Sequence, residues 1–162
     1  MQPGKLYMFC GKMASGKSTL ASKIAKQKTA VLISEDHLLG SLYPGEVIDV
    51  PSYVRCSGKV KLAMGQVVID ILVSGGSVVL DFPANTVKQR RWIKELLLQA
   101  GASHELHLLN YSDAVCKEQL RERAKKKPDR RMTDTEAMFD VMSGYFELPS
   151  RDEGFDIVEY RR

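Results

Sequence analysis

The sequence predicts an α/β fold, a mostly parallel sheet covered by helices on both faces. Three observations carry that prediction. Short apolar, β-rich runs alternate with stretches of helical period. A glycine-rich loop separates the first such run from the first helical stretch. The length, 162 residues with 44% hydrophobic and 27% charged, suits one domain with an ordinary core. The chain is therefore read as a single domain over residues 1–162.

The elements follow in order. Lys5 to Cys10 reads as strand one. Residues 17–28 form a helix whose Leu20, Ile24 and alanines can face a sheet. Ala30 to Ile33 is a second short strand, followed by a loop containing Tyr43-Pro44-Gly45. Pro51 opens a long helix with Val60, Met64, Val67, Val68, Ile71 and Leu72 on the 3.6 period, and Gly75-Gly76 stops it. Ser77 to Leu80 is strand three, ending at Asp81. Thr86 with Gln89 three residues on is a capping-box pattern, and that helix ends near Gly101. Residues 104–109 make strand four, and Ser112 caps the helix after it. Thr133 with Glu136 predicts another capping box, before a stripe of Ala137, Met138, Val141, Met142, Tyr145 and Phe146. Phe155 to Tyr160 is the last strand.

Several function classes are excluded. No apolar run approaches the roughly 20 residues of a membrane helix. The N-terminal apolar stretch lacks a small-residue cleavage site and reads as a strand rather than a signal peptide. Cys10, Cys56 and Cys116 are widely spaced with no CxxC pair, which suits reduced thiols in a cytoplasmic protein. His104 and His107 share one predicted strand at an odd separation, so they face opposite sides and make poor joint metal ligands.

Gly11-Lys12-Met13-Ala14-Ser15-Gly16-Lys17-Ser18 reads GxxxxGKS, a Walker A phosphate-binding loop between a strand and a helix. Glycines admit backbone dihedrals closed to other residues, so successive N–H groups can turn inward. Those groups and the helix N-terminus cradle phosphate oxygens. Lys17 reaches the terminal phosphates, Ser18 suits Mg²⁺, and Thr19 supports the α-phosphate.

Ligands of open α/β sheets sit beyond the carboxyl ends of the strands, and two carboxylates fall there. Asp81, closing an apolar strand, suits a Walker B role holding Mg²⁺ with Ser18; its bland alternative is a loop or cap residue. Asp36, after strand two, is the candidate general base, with Glu35 competing and a capping role as alternative. His37 reads as a loop or cap residue.

The total charge of +4 is unevenly spread. Residues 117–131 hold eight basic and three acidic side chains, leaving the rest near neutral. The run is a solvated face, a nucleic-acid contact, or a lid over ATP placing arginines on the transferring phosphoryl group. Its position between two helices favours the lid, over about residues 121–133, with Arg123 and Arg121 first and Arg130 and Arg131 next. Arg90 and Arg91 either reach the phosphates or the acceptor, or lie exposed on a helix.

These residues together resemble the small P-loop kinases of the adenylate-kinase-like group. The closer likeness is to the predicted-kinase, or "AAA family ATPase", branch related to chloramphenicol phosphotransferase, zeta toxin and polynucleotide 5′-kinase domains. The resemblance implies a three-layer fold with a five-stranded parallel sheet in the order 2-3-1-4-5, a short lid, ATP and Mg²⁺. It implies Asp36 as the acceptor-binding Asp, Asp81 as the strand-three Asp, and Arg123 as the lid arginine. It places residues 152–156 near the adenine and an acceptor pocket over residues 37–64. No residues remain for a separate nucleic-acid domain, and no zinc ligands decorate the lid.

The expected activity is transfer of the γ-phosphoryl group of ATP to a hydroxyl of a small molecule. Lys17, Asp36 and Arg123 would be catalytic, and Ser18 and Asp81 would hold the metal. Gly11 to Thr19, Arg121, Arg130 and Arg131 would bind the nucleotide. Two rivals stand beside it: a polynucleotide 5′-hydroxyl kinase, for which aromatic stacking residues are scarce, and a nucleotide-binding regulatory module without transfer, which needs no acceptor base.

Overall fold

The computed structural model describes residues 2–128 and 134–162. Its strands are β1 (Lys5–Gly11), β2 (Val31–Ser34), β3 (Val78–Pro83), β4 (Ser103–Asn110) and β5 (Ile157–Arg161). Its helices are α1 (Lys17–Lys28), α2 (Glu35–Leu42), α3 (Val50–Val73), α4 (Val87–Ala100), α5 (Asp113–Lys126) and α6 (Glu136–Ser143), with a 3₁₀ turn at Arg151–Glu153. All strand pairs are parallel, in the order β2-β3-β1-β4-β5. That is the sheet the resemblance implies.

β1 sits at the centre because both of its faces are apolar. Leu6, Met8 and Cys10 pack with α3 and α4 through Val60, Val68, Leu72, Ile93 and Leu96. Tyr7 and Phe9 pack with Ala21 and Ile24 of α1. A third cluster of Cys116, Leu120 and Phe139 ties α5 and α6 to Met13 and Ala14 of the glycine-rich loop. The β1–β3 register shifts between Met8, opposite Leu80, and Phe9, opposite Pro83. Asp81 lies in that break, at the site end of the sheet, where such irregularities commonly re-aim a side chain.

Several boundaries and faces differ from the sequence reading. Residues 35–42 form a helix, capped by the Ser34 side chain, so Asp36 is not its cap. β3 runs on through Asp81 to Pro83. In α3 the side of Val67 is outward, and Gly65 and Ile69 share the buried face instead. The cap of α6 is Thr135, and Thr133 lies outside the described residues. The predicted α6 stripe is also displaced: Met138, Val141, Met142 and Tyr145 are exposed, and Phe139 is the buried anchor. An eight-residue helix touching α5 along one line needs only one such anchor.

Arg90 is the largest departure. Its side chain is fully buried. Nε donates to Glu153 at 2.7 Å, Nη2 to the other Glu153 oxygen at 3.2 Å, and Nη1 to the Ala84 carbonyl at 2.9 Å. It locks α4 to the C-terminal segment rather than reaching a phosphate. Residues 152–156 accordingly pack on α4, where Lys94 also bonds the Glu153 and Gly154 carbonyls. Replacing Arg90 by Leu removes the guanidinium from Glu153, which keeps only the Ser150 N–H, and from the Ala84 carbonyl. The expected cost is about 3 kcal/mol, read as a lower urea midpoint at unchanged slope. Arg90→Lys should recover only part of it, since an ammonium cannot reproduce the planar fork.

Candidate active site

The glycine-rich loop leaves β1 at Gly11 and enters α1 at Gly16. Gly16 has φ 101°, a region closed to most side chains, and as the cap of α1 it places no side chain over the helix N-terminus. Ala14 also has positive φ, 60°, a conformation costing roughly 1–2 kcal/mol. The loop is held from outside. Gln119 of α5 donates to the Ala14 carbonyl at 3.1 Å, and the Asn85 side chain accepts from the Gly11 N–H at 2.9 Å. Gly11 has no room for a β-carbon, which would fall 2.6 Å from the buried Ser15 hydroxyl.

Lys17 folds back onto the loop, donating to the Gly11 carbonyl and to the Lys12 carbonyl at 3.0 Å. Burial lowers its ammonium from 10.5 to about 8, and the Arg123 charge adds to that; Cys10, Asp81 and Cys116 oppose it. Asp81 lies close enough to the Ser18 hydroxyl for that donor to act on its carboxyl. Burial raises its carboxyl above the usual range and the Asp36 charge pushes the same way, against Ser18 and Lys17. The strand-three carboxylate, the loop lysine and the loop serine therefore meet.

Behind Asp36, Glu35 is buried and bonded on both oxygens, by Tyr53 at 2.6 Å and Ser57 at 2.8 Å. It braces α2 against α3. Burial pushes its carboxyl up, and the two hydroxyl donors partly offset that. Asp36 is exposed at the start of α2.

A cavity of about 990 Å³ runs over the loop. Lys12 to Thr19, Asp36 and Arg123 all line it. Lys12 lies there too, paired with Asp113 at 2.7 Å and set over the Phe146 ring. Arg123 is gripped in two-point fashion by Asp134, at 2.7 and 2.9 Å. Lys126 and Lys127 join the lining, so part of the basic run does face the site. Arg121 does not line it; it pairs with Glu136 on the surface. Arg91 is exposed on α4, and Arg130 and Arg131 lie outside the described residues.

Asn85, Gln119, Tyr53 and Asp134 were not singled out as site residues. The signal for Asn85 was its place four residues beyond Asp81, at the same sheet end. Gln119, Tyr53 and Asp134 act through partners 105, 18 and 11 residues away, which no local pattern reveals.

Residues 6–149 match the family model described as an AAA domain. The chain belongs to this family. A search of the curated proteins returns no match. Among solved structures, the chain is similar to a protein of Chloroflexus aurantiacus J-10-fl, with TM-score 0.76 and 19% identity, over 99% of this chain and 86% of that one. It is similar to the Mycobacterium tuberculosis APS kinase CysC in complex with AMPPNP and APS, at TM-score 0.69 and 15% identity, over 99% and 90%. A gluconokinase from Sinorhizobium meliloti 1021 aligns at TM-score 0.58 and 18% identity, over 97% and 82%. The fold is thus that of P-loop kinases. No described helix is long and apolar enough to cross a membrane.

The depressed Lys17 has a testable consequence. Its value in the folded protein lies below the ordinary one, so the unfolded chain binds more protons between them. Without nucleotide or divalent cations, the Lys17 contribution to stability should rise as pH goes from about 8 to 10.5 and stay flat below. Urea midpoints across that range should climb more for the wild type than for Lys17→Met.

Proposed function

We propose that this protein is an ATP-dependent kinase that transfers the γ-phosphoryl group to a hydroxyl of a small molecule. The observation that supports it best is the sharing of one cavity by the phosphate loop with Lys17, by Asp36 and by Arg123. The fold it shares with the APS kinase and the gluconokinase agrees with that reading.

The acceptor hydroxyl oxygen forms a bond to Pγ as the bond from Pγ to the β–γ bridging oxygen breaks. ADP leaves with that electron pair, and the hydroxyl proton passes to the Asp36 carboxylate. Transition states of this kind spread charge over the transferring oxygens, so fixed cations matter most. Lys17 offsets charge on the terminal phosphates. Arg123, oriented by Asp134 through Nε and Nη2, keeps Nη1 for a phosphate oxygen.

The residues present also fit Mg²⁺. Ser18 and Asp81 are hard oxygen donors already in contact, and burial beside Asp36 leaves the Asp81 carboxylate in need of a countercharge. No group of three or more His, Cys, Asp and Glu forms a cage among the described residues. That agrees with an ion held by one or two side chains together with phosphates and water. When bound, the ion supplies positive charge to the β- and γ-phosphate oxygens.

Incubation with labelled ATP, Mg²⁺ and pooled nucleosides, sugars, aminoglycosides and oligonucleotides should move label to an acceptor. Asp36→Asn should lower that transfer by about 100-fold or more while leaving AMPPNP affinity intact. Tight AMPPNP binding with no transfer in the wild type would leave a regulatory module as the better reading. Label on oligonucleotides alone would favour the 5′-hydroxyl kinase.

A further inference from the structure

The connection from β3 into α4 brings two side-chain amides to the cavity, and the oxygens of both are committed to backbone. The Asn85 oxygen accepts from the Gly11 N–H at 2.9 Å. The Gln89 oxygen accepts from the N–H groups of Asn85 and Thr86, at 2.9 and 3.2 Å. Because a backbone N–H only donates, each bond fixes which end of the amide is oxygen. The NH₂ end is the one left over.

Asn85 is the more firmly held of the two. Besides its bonds to Gly11 and Gln89, its carbonyl accepts from the Glu147 N–H at 2.8 Å. Its backbone N–H, its carbonyl and its side-chain oxygen are therefore all used. Its NH₂ group hydrogen-bonds to no described residue. The residue is half-buried and lines the cavity. Its two remaining donors are thus fixed in place before any ligand arrives, at no cost in side-chain ordering.

Gly11 sets where those donors lie. Lys17 donates to its carbonyl, while Asn85 accepts from its N–H. The ammonium and the amide flank the same residue of the loop. Gly11 gives its N–H to Asn85 instead of to a ligand, and the Asn85 amide presents two donors in its place. Phosphoryl oxygens only accept, so they match such a group. Lys17 serves the terminal phosphates, which puts the amide beside the last phosphate rather than the first.

We propose that Asn85 contacts the γ-phosphate, with Nδ2 donating to a γ-phosphoryl oxygen next to Lys17. The proposal rests on the reading of the cavity as an ATP site. A neutral donor held there keeps its bond as charge spreads over the transferring oxygens. It also separates ATP from ADP, because ADP offers it no γ-phosphoryl oxygen.

The test measures AMPPNP and ADP affinity with Mg²⁺ by calorimetry, for the wild type, Asn85→Asp and Asn85→Leu. Asn85→Asp keeps an acceptor for the Gly11 N–H and removes the donors. Asn85→Leu removes both without adding charge. The ratio of AMPPNP to ADP affinity should fall about 10-fold or more in both variants. An unchanged ratio in Asn85→Leu overturns the proposal and leaves Asn85 as a brace of the loop. If Asn85→Leu shows no cooperative urea transition, Asn85→Asp decides in 1 M KCl, where repulsion between exposed charges is screened beyond about 3 Å. An unchanged ratio there overturns the proposal as well. Wild-type protein that binds neither nucleotide removes the ATP-site reading and this proposal together. A fallen ratio in a protein that labels no acceptor supports the proposal and removes only the kinase reading.

Discussion

Closure of the glycine-rich loop against its neighbours is the constraint on which the site depends. At Gly11 the chain has no space for a β-carbon: the Ser15 hydroxyl would lie 2.6 Å away and the Leu109 side chain and carbonyl 3.2 Å. The loop must therefore be built on the central strand, where β4 crowds it from one side and the β3–α4 connection from the other. Asn85 and Gln119 then fix two of its backbone groups from elements far apart in the chain. A loop with Ala14 and Gly16 both at positive φ stores strain, and these outside bonds hold it in place.

The same closure organises the electrostatics. Folding the loop back buries Lys17 on its own carbonyls and brings Ser18 onto Asp81. Each ionised group there is only partly compensated. A lysine lowered by burial and a carboxyl raised by it are the expected state of a site built to receive further charge. By contrast Glu35, though buried, is satisfied by two hydroxyls, and serves to hold the first turn of α2 in position.

Arginines show how pairing decides which cations stay at the cavity. Arg90 is wholly buried and bonded at Nε, Nη1 and Nη2, so no nitrogen remains for a ligand. Arg121 finds Glu136 on the surface and contributes little there. Arg123, two residues on, projects from another face of α5, meets the buried Asp134 and stays at the cavity. A rotation of about 100° per residue along the helix separates these two fates.

Much of this was legible in the residues alone. Strand–helix alternation, the 3.6-residue period of α3, the Thr86–Gln89 capping box and the glycine–lysine–serine spacing are local, since each depends on neighbours within a few positions. They gave the α/β class, the phosphate loop and the two strand-end carboxylates. The partners of Arg90, Arg123 and Glu35 were not legible, nor was the outward turn of the α6 stripe or the packing of residues 152–156 on α4. Those depend on which side chains meet across gaps of 11 to 63 residues. A charged residue reads the same in sequence whether it meets solvent, a carboxylate or a ligand. Burial and partner, which only packing assigns, decide among them.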